Sequence, residues 1–257
     1  MLLTYKVRIW PTVEQKQVLW NLSEKCRLLY NFSLQERRQD WVIQQQKEKS
    51  ERTYMTYEQQ STSLPEIKRT YPEYRWVYSK VLQQVIKKLD ENFRSFISLR
   101  KKGDFNARPP RFKGKKFFFT ISYNQSGFKM NNGMLHFSHK HPSRIPLDFM
   151  MPRQYHSIER TKQIEIKQEK DAKWFVCIPF AMDSPPYTDN GLYQAIDLGM
   201  SNIVSAVNLH FKFIQIKNRR ADMFWKKKME QVQSRRDHCK RYSHRWEHCN
   251  TKLVRMK

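Results

Sequence analysis

Near the N-terminus Leu3, Tyr5, Val7 and Ile9 alternate with Thr4, Lys6, Arg8 and Trp10. That is the two-residue period of a strand with one buried face, and Pro11 stops it. Thr12-Val13-Glu14-Gln15 then reads as a helix start, because the Thr and Gln side chains can each satisfy a backbone N–H of the first turn. Val18, Leu19, Leu22, Cys26, Leu29 and Phe32 follow at helical spacing, which predicts a buried stripe. Residues 35–60 are polar with little periodicity and read as a solvated helix extension or a mobile segment. Pro65 and Pro72 break the next stretch. From Ser79 a second stripe runs through Val81, Val85, Leu89, Phe93 and Phe96, and Gly103 closes it.

The texture then changes. Residues 108–116, Arg-Pro-Pro-Arg-Phe-Lys-Gly-Lys-Lys, form a basic turn that cannot continue a helix. Strand-like runs follow at 117–123, 127–130, 134–137, 157–168 and 174–180. Turn residues at Asn131-Asn132-Gly133 and Glu169-Lys170-Asp171 suit hairpins. A lone first strand, a helical insertion and a series of short strands predict a β-barrel interrupted by helices, with the first strand pairing back into it. Ser184-Pro185-Pro186-Tyr187 reads as a stiff linker. Beyond it, 192–197, 203–208 and 211–216 read as three strands, and 219–257 as a long basic helix or helix pair.

Charge narrows the function. The 257 residues carry 49 Lys and Arg against 24 Asp and Glu, a formal charge of +25. Self-repulsion of that size opposes compaction unless a polyanion is bound, so nucleic acid is the first candidate partner. No stretch of about 18 apolar residues exists to span a bilayer, and no membrane partner is expected. The N-terminus lacks the pattern of a secretory signal. Four cysteines do not make a disulfide framework, which fits a reducing, cytosolic setting. Seven Trp, 12 Tyr and 16 Phe are interleaved with the basic residues, a mixture that suits RNA and single strands, although most such rings serve as core.

Within this background, Arg108, Arg111, Lys113, Lys115 and Lys116 are candidate phosphate contacts, with a solvated loop as the alternative. Tyr74, Trp76 and Tyr78 could stack on bases, but packing is the stronger reading. His238, Cys239, His244, His248 and Cys249 cluster near the end, and His244 and His248 lie one helical turn apart, a spacing that can bind Zn. Arg235, Arg236, Lys240, Arg241 and Arg245 surround them and disfavour a cation, so a basic helix face against nucleic acid is the better reading.

The most specific stretch is Ala195-Ile196-Asp197-Leu198-Gly199. An apolar strand delivers a carboxylate at its end, Gly199 permits a sharp turn, and a second apolar strand returns beside the first. Ribonuclease H-like folds present a first metal-binding Asp in this way, and the same turn also occurs in sugar kinases and ordinary hairpins. Mg binds hard oxygen ligands, and a rigid strand fixes where the ion sits. Asp183 and Asp189 fall in the linker region and are not candidates.

Four stretches together resemble the TnpB/OrfB family of transposon-encoded, RNA-guided nucleases, relatives of the type V CRISPR effectors. They are Tyr5-Lys6-Val7-Arg8-Ile9-Trp10-Pro11-Thr12; Cys26-Arg27-Leu28-Leu29-Tyr30-Asn31; the helix from Val81 through Phe96 with Pro110-Arg111-Phe112-Lys113-Gly114; and Ala195 to Gly199. The resemblance implies an α+β multidomain fold. A wedge-like β-barrel (1–11 and 107–183) would hold an inserted helical recognition domain (12–106), and 187–257 would begin a RuvC-like, ribonuclease H-like nuclease domain. It also implies Asp197 as a catalytic, Mg-binding residue, and a guide RNA from the transposon end and target double-stranded DNA as partners. The expected setting is cytoplasmic and nucleoid-associated, in a bacterium or archaeon. Sequence specificity would then lie in base pairing, with protein contacts to backbone and heteroduplex shape.

Family members continue to a RuvC glutamate, a four-cysteine Zn module and a final aspartate, none of which is identifiable here. One carboxylate cannot build a two-metal site, so 1–257 alone is not expected to cut DNA, and Zn is expected only in that further module. Two other readings are a nuclease-inactive relative or fragment that uses the guide to occupy DNA, and a plain basic RNA-binding protein without a guide.

Overall fold

The computed structural model describes residues 2–152, 161–169, 171–183 and 186–256. The chain divides into two compact units, Met1–Met182 and Asp183–Lys257.

In the first unit, β1 (Leu2–Ile9) leads through Pro11 into α1 (Val13–Gln45). The expected capping box forms: the Gln15 N–H donates to Thr12 Oγ1 at 3.2 Å, and the Thr12 N–H to Gln15 Oε1 at 3.0 Å. Val18, Leu19, Leu22, Cys26 and Leu29 are buried as expected, and the stripe continues through Tyr30 and Leu34. Phe32 is 46 % exposed, because the buried face advances by three and four residues to 33 and 34 and leaves position 32 on the flank. Of the two readings of 35–60, the helix extension holds as far as Gln45, where α1 ends. A 3₁₀ turn (Lys49–Glu51) and α2 (Tyr57–Thr62) follow.

Pro65 and Pro72 begin elements instead of ending them, in the first turns of α3 (Leu64–Thr70) and of a 3₁₀ helix (Pro72–Trp76). No backbone N–H is needed in a first turn, which removes the objection to proline there. In α4 (Ser79–Lys101), Val81, Leu82, Val85, Ile86 and Leu89 are buried. Gly103, at φ +88°, ends it: its N–H reaches Arg100 O at 3.1 Å and that of Asp104 reaches Leu99 O at 3.0 Å. This pair of bonds is a Schellman cap, whose left-handed residue is best served by glycine.

The remaining strands of this unit are β2 (Ile121–Asn124), β3 (Phe128–Asn131), β4 (Met134–Phe137), β5 (Leu147–Met150), β6 (Gln163–Gln168) and β7 (Trp174–Ala181). The first strand does pair back: β1 runs antiparallel to β7, with Val7 opposite Val176 and Ile9 opposite Trp174. The expected barrel is corrected, because the strands do not close. One open sheet has the order β1-β7-β6-β2, and β3-β4-β5 is a separate sheet. β2 to β5 are only four residues each. After Asn124 the chain turns on a Gly127 N–H to Asn124 O bond of 2.8 Å, so pairing does not carry from β2 into β3. The β3–β4 hairpin turns on Asn132 (φ 49°) and Gly133 (φ 77°), the positive pair of a type I′ turn. Of the expected strand 157–168, residues 157–160 lie outside the described residues, as does Lys170 of the expected second hairpin turn.

Helices and sheets share one core in which rings interlock. Phe118 lies edge-on to both Trp20 (5.2 Å between centroids) and Trp174 (4.9 Å), and Tyr123 meets Phe137 at 4.9 Å.

The second unit holds β8 (Gln194–Asp197), β9 (Asn202–Asn208) and β10 (Phe213–Lys217), antiparallel in the order β10-β9-β8. The basic tail is a pair of packed helices, α5 (Ala221–Asp237) and α6 (His244–Met256). Ser184 and Pro185 of the expected linker lie outside the described residues. Among the described apolar residues of this unit only Ala206, Val232 and Leu253 are buried. The architecture is therefore α+β, with helices and several small open sheets. No helix in the described residues is long and apolar enough to cross a membrane.

Candidate functional site

The basic segment 108–116 has no regular secondary structure, yet it is held in one shape by α1. Ser23, Arg27 and Asn31 stand four residues apart and so share a stripe of the helix. Ser23 Oγ donates to Phe119 O at 3.0 Å and accepts from the Phe119 N–H at 2.6 Å. Arg27 Nη1 donates to Lys113 O at 2.8 Å. Asn31 grips the same residue twice, accepting from the Lys113 N–H at 2.8 Å and donating to Lys113 O at 2.9 Å. Two turns further, Arg38 Nη2 donates to Pro110 O at 3.3 Å, and its guanidinium lies 4.5 Å from the centre of the Phe112 ring.

Glu24 aims the Arg27 guanidinium, accepting from Nε at 2.7 Å and Nη2 at 2.6 Å. Those bonds hold the Glu24 carboxyl below its ordinary pKa and raise that of Arg27. Two motifs far apart in sequence, Cys26–Asn31 and Pro110–Gly114, are thus one device. Reading the sequence missed the Ser23, Arg27 and Asn31 ladder. Its signal was three hydrogen-bonding residues at four-residue spacing beside an apolar stripe.

On this frame Arg108, Arg111, Lys115 and Lys116 are exposed, whereas Lys113 is half-buried with its ammonium over the rings of Phe117 (5.1 Å) and Tyr30 (5.6 Å). Tyr74 is buried, and Trp76 and Tyr78 pack partly against the core. Packing, the stronger expectation, holds for these three. The Cys26 thiol is sealed in the core, where burial pushes its pKa up to about 12, so it is no nucleophile.

In the second unit Asp197 ends β8 and is exposed. Strand register puts Asp197, Ser205 and Gln215 in a row on one face of the sheet, and Ile196, Ala206 and Ile214 on the other. The following turn is tied down by Asn218, whose Nδ2 donates to Met200 O at 2.9 Å and whose N–H reaches Ser201 O at 3.1 Å. A Cβ at Gly199 would come within 3.1 Å of Asn202 O, which explains glycine there. Asp189 is engaged locally, accepting from the Gly191 N–H and the Tyr193 hydroxyl. Asp197 offers one hard oxygen ligand. Among the described residues no group of three or more His, Cys, Asp or Glu could hold a metal ion. Mg is usually held by one or two carboxylates together with waters and substrate phosphates, so Asp197 suits it as one ligand of such a set.

Of the basic candidates, Arg235 on α5 is exposed, as are Lys240 and Arg241, which lie in the turn between the two helices and not on a helix face. Arg236 is partly covered and braces the pair: it binds Asp237 at 2.7 Å, reaches Asn250 Oδ1 at 3.5 Å and lies 6.0 Å from the Trp246 ring centre. His238, the residue that caps α5, has its Nδ1 2.7 Å from Ser234 O in the last turn of that helix.

Residues 1–48 match the model of the OrfB IS605 helix-turn-helix domain. The described part of that stretch contains one strand and one unbroken helix, with no turn between two helices. A curated relative from Streptomyces pristinaespiralis, named "Putative RNA-guided DNA endonuclease", is 27% identical over 205 residues. The alignment takes in 78% of this chain and 47% of the relative, so the chain spans about half of that protein. Two cryo-EM structures align with a TM-score of 0.42 each. A Cas12f1–sgRNA–target DNA complex is 16% identical, over 99% of this chain and 65% of that one. A CRISPR-Cas12f ternary complex is 14% identical, over 91% and 54%.

Proposed function

We propose that this TnpB/OrfB-like chain is the nucleic-acid-holding part, with the first catalytic carboxylate, of a transposon-encoded RNA-guided DNA endonuclease. The observation that carries this reading is the segment 108–116, which has five basic side chains and no acid and is held to α1 through Arg27, Asn31 and Arg38. Such a fixed cationic ridge suits phosphates that must be held in register. The name of the Streptomyces relative supports the chemistry. In this reading residues 1–11 and 107–183 correspond to the wedge-like domain, 12–106 to the recognition domain, and 187–257 to the first part of a RuvC-like domain. Guide RNA and double-stranded target DNA are its partners, and it acts in the cytoplasm.

Asp197, on the polar row of its sheet, would give one oxygen ligand to a divalent ion, Mg by preference. The remaining ligands would come from outside the described residues. The bound ion would supply charge stabilisation for phosphodiester hydrolysis. Asp197→Ala in the complete protein is expected to abolish cleavage while guide and target binding persist. Cleavage that survives the change refutes the role of Asp197. A second reading is a guide-dependent DNA binder without nuclease activity. It predicts no cleavage by the complete wild-type protein with Mg present. Sequencing the RNA that copurifies tests the guide itself: a mixed pool with no enriched transcript sinks both readings.

A further inference from the structure

Three phenylalanines of one short segment stay on the surface: Phe105 is 77 % exposed, Phe112 46 % and Phe117 44 %. Each ring has a cation against it. Arg100 lies 5.3 Å from the Phe105 centroid, Arg38 4.5 Å from Phe112 and Lys113 5.1 Å from Phe117. Two of these cations also hold the backbone beside their ring, Arg100 donating to Phe105 O at 2.9 Å and Arg38 to Pro110 O at 3.3 Å. The rings are therefore positioned, yet their remaining surface is uncovered. Between them stand Arg108, Arg111, Lys115 and Lys116, all exposed, and the segment 105–117 has no acidic residue.

Leaving aromatic surface in water forfeits the gain of burying it. Proteins that hold unpaired strands use such rings, since bases stack on them while cations follow the phosphates. We propose that residues 105–117 form a stacking platform for the unpaired bases of a single-stranded nucleic acid. Phe105, Phe112 and Phe117 take bases on the ring surface left by their cations, and Arg108, Arg111 and Lys115 take the intervening phosphates. This rests on the nucleic-acid reading above and adds to it the state of the strand. A duplex hides its base faces in its own stack and could use only the cations. Stacking is indifferent to the sugar, so RNA and DNA single strands are equivalent ligands for the platform.

The test measures binding of the 257-residue chain to a labelled uridine-rich RNA, the matching thymidine-rich DNA strand and a DNA duplex, each over a range of salt. Three double variants are compared: Phe105→Ala with Phe112→Ala, and the same positions changed to Leu or to Tyr. Phe117 is left alone because it packs edge-on to Phe119 at 6.3 Å. The Ala pair is expected to weaken both single strands at least about 10-fold, given that stacking is worth roughly 1–3 kcal/mol per base. Duplex binding, the salt slope and the melting temperature should hardly move. Leu should behave as Ala, and Tyr should keep wild-type affinity. Unchanged single-strand affinity in the Ala pair, an equal loss on the duplex, or full rescue by Leu overturns the platform. Duplex binding without single-strand binding by the wild-type chain overturns the platform too, whereas failure to bind any of the three probes would instead overturn the nucleic-acid reading itself.

Discussion

Changing Arg27 to Met asks whether α1 really holds the basic segment. Arg27 is 5 % exposed, and Met keeps most of its apolar stem, so little packing is lost. Two bonds go to Glu24, which is exposed enough to regain water. The decisive loss is the charged bond to Lys113 O, worth about 1.5–3 kcal/mol when its acceptor is partly buried. Asn31 still donates to that oxygen, which sets the expectation near 2 kcal/mol on that scale. For a unit of this size about 2–4 °C of melting temperature goes with each kcal/mol, so the transition should fall by roughly 4–8 °C. Far-UV circular dichroism follows the melt, and hydrogen exchange at the Lys113 and Phe119 amides reads the segment directly. Arg27→Met combined with Asn31→Ala leaves Lys113 O with neither donor and should cost more than the two single changes added together. A shift below about 1 °C on the same scale, with unchanged exchange at Lys113, would refute the clamp.

The same pair sets an acid limb. The Glu24 carboxyl is held below its ordinary pKa by Arg27, so its contribution is complete above the ordinary glutamate range and lost as pH falls through the lowered value. The Arg27→Met chain should therefore lose less stability on acidification than wild type, which melts recorded across that range will check. Tyr123→Phe should be neutral or raise stability by up to about 1 kcal/mol, since the buried Tyr123 hydroxyl has no partner among the described residues; a clear loss in chemical denaturation would mean that the hydroxyl is satisfied. Gly127→Ala should destabilise by about 1–3 kcal/mol, because the added methyl would meet Tyr123 Cδ1 and Tyr78 Cε1 at 2.9 Å; denaturant midpoints measure it, and no change would mean that both rings can yield. Replacing Arg111 and Lys115 with Ala should flatten the salt dependence of nucleic-acid binding by about 0.7–0.9 per lost phosphate contact; an unchanged slope puts those side chains away from the backbone.

The legible parts of the fold are those written in local chemistry. Thr12 with Gln15 announced α1, the Val81–Leu89 stripe announced α4, and Asn132-Gly133 announced a hairpin. What escaped depends on contacts between distant segments. Phe32 is as apolar as Leu29, and only the course of the core shows that it faces out. β5 is four residues long, follows Pro146 and carries Asp148, too little pattern to stand out. The sheet edges that prevent barrel closure follow from where β2 stops, which no period records. For the candidate site, Gly199 and the strand before it pointed to Asp197, but its polar row with Ser205 and Gln215 is a matter of register between strands. The grip of Ser23, Arg27 and Asn31 on residues 113–119 was invisible for the same reason. Each half looks like ordinary surface until the other is beside it.

The pairing of β1 with β7 also sets a timetable. Ile9 meets Trp174 only after the whole helical insertion and both intervening hairpins have been made. At roughly 5–20 residues per second, synthesis leaves β1 without its partner for on the order of ten seconds or more. The local contacts of α1 to α4 form long before then, while the four-stranded sheet must wait for its last strand. During that interval Val7 and Ile9, later buried in the core, are an unpaired apolar edge of the nascent chain. That edge is open to mispairing until β7 arrives.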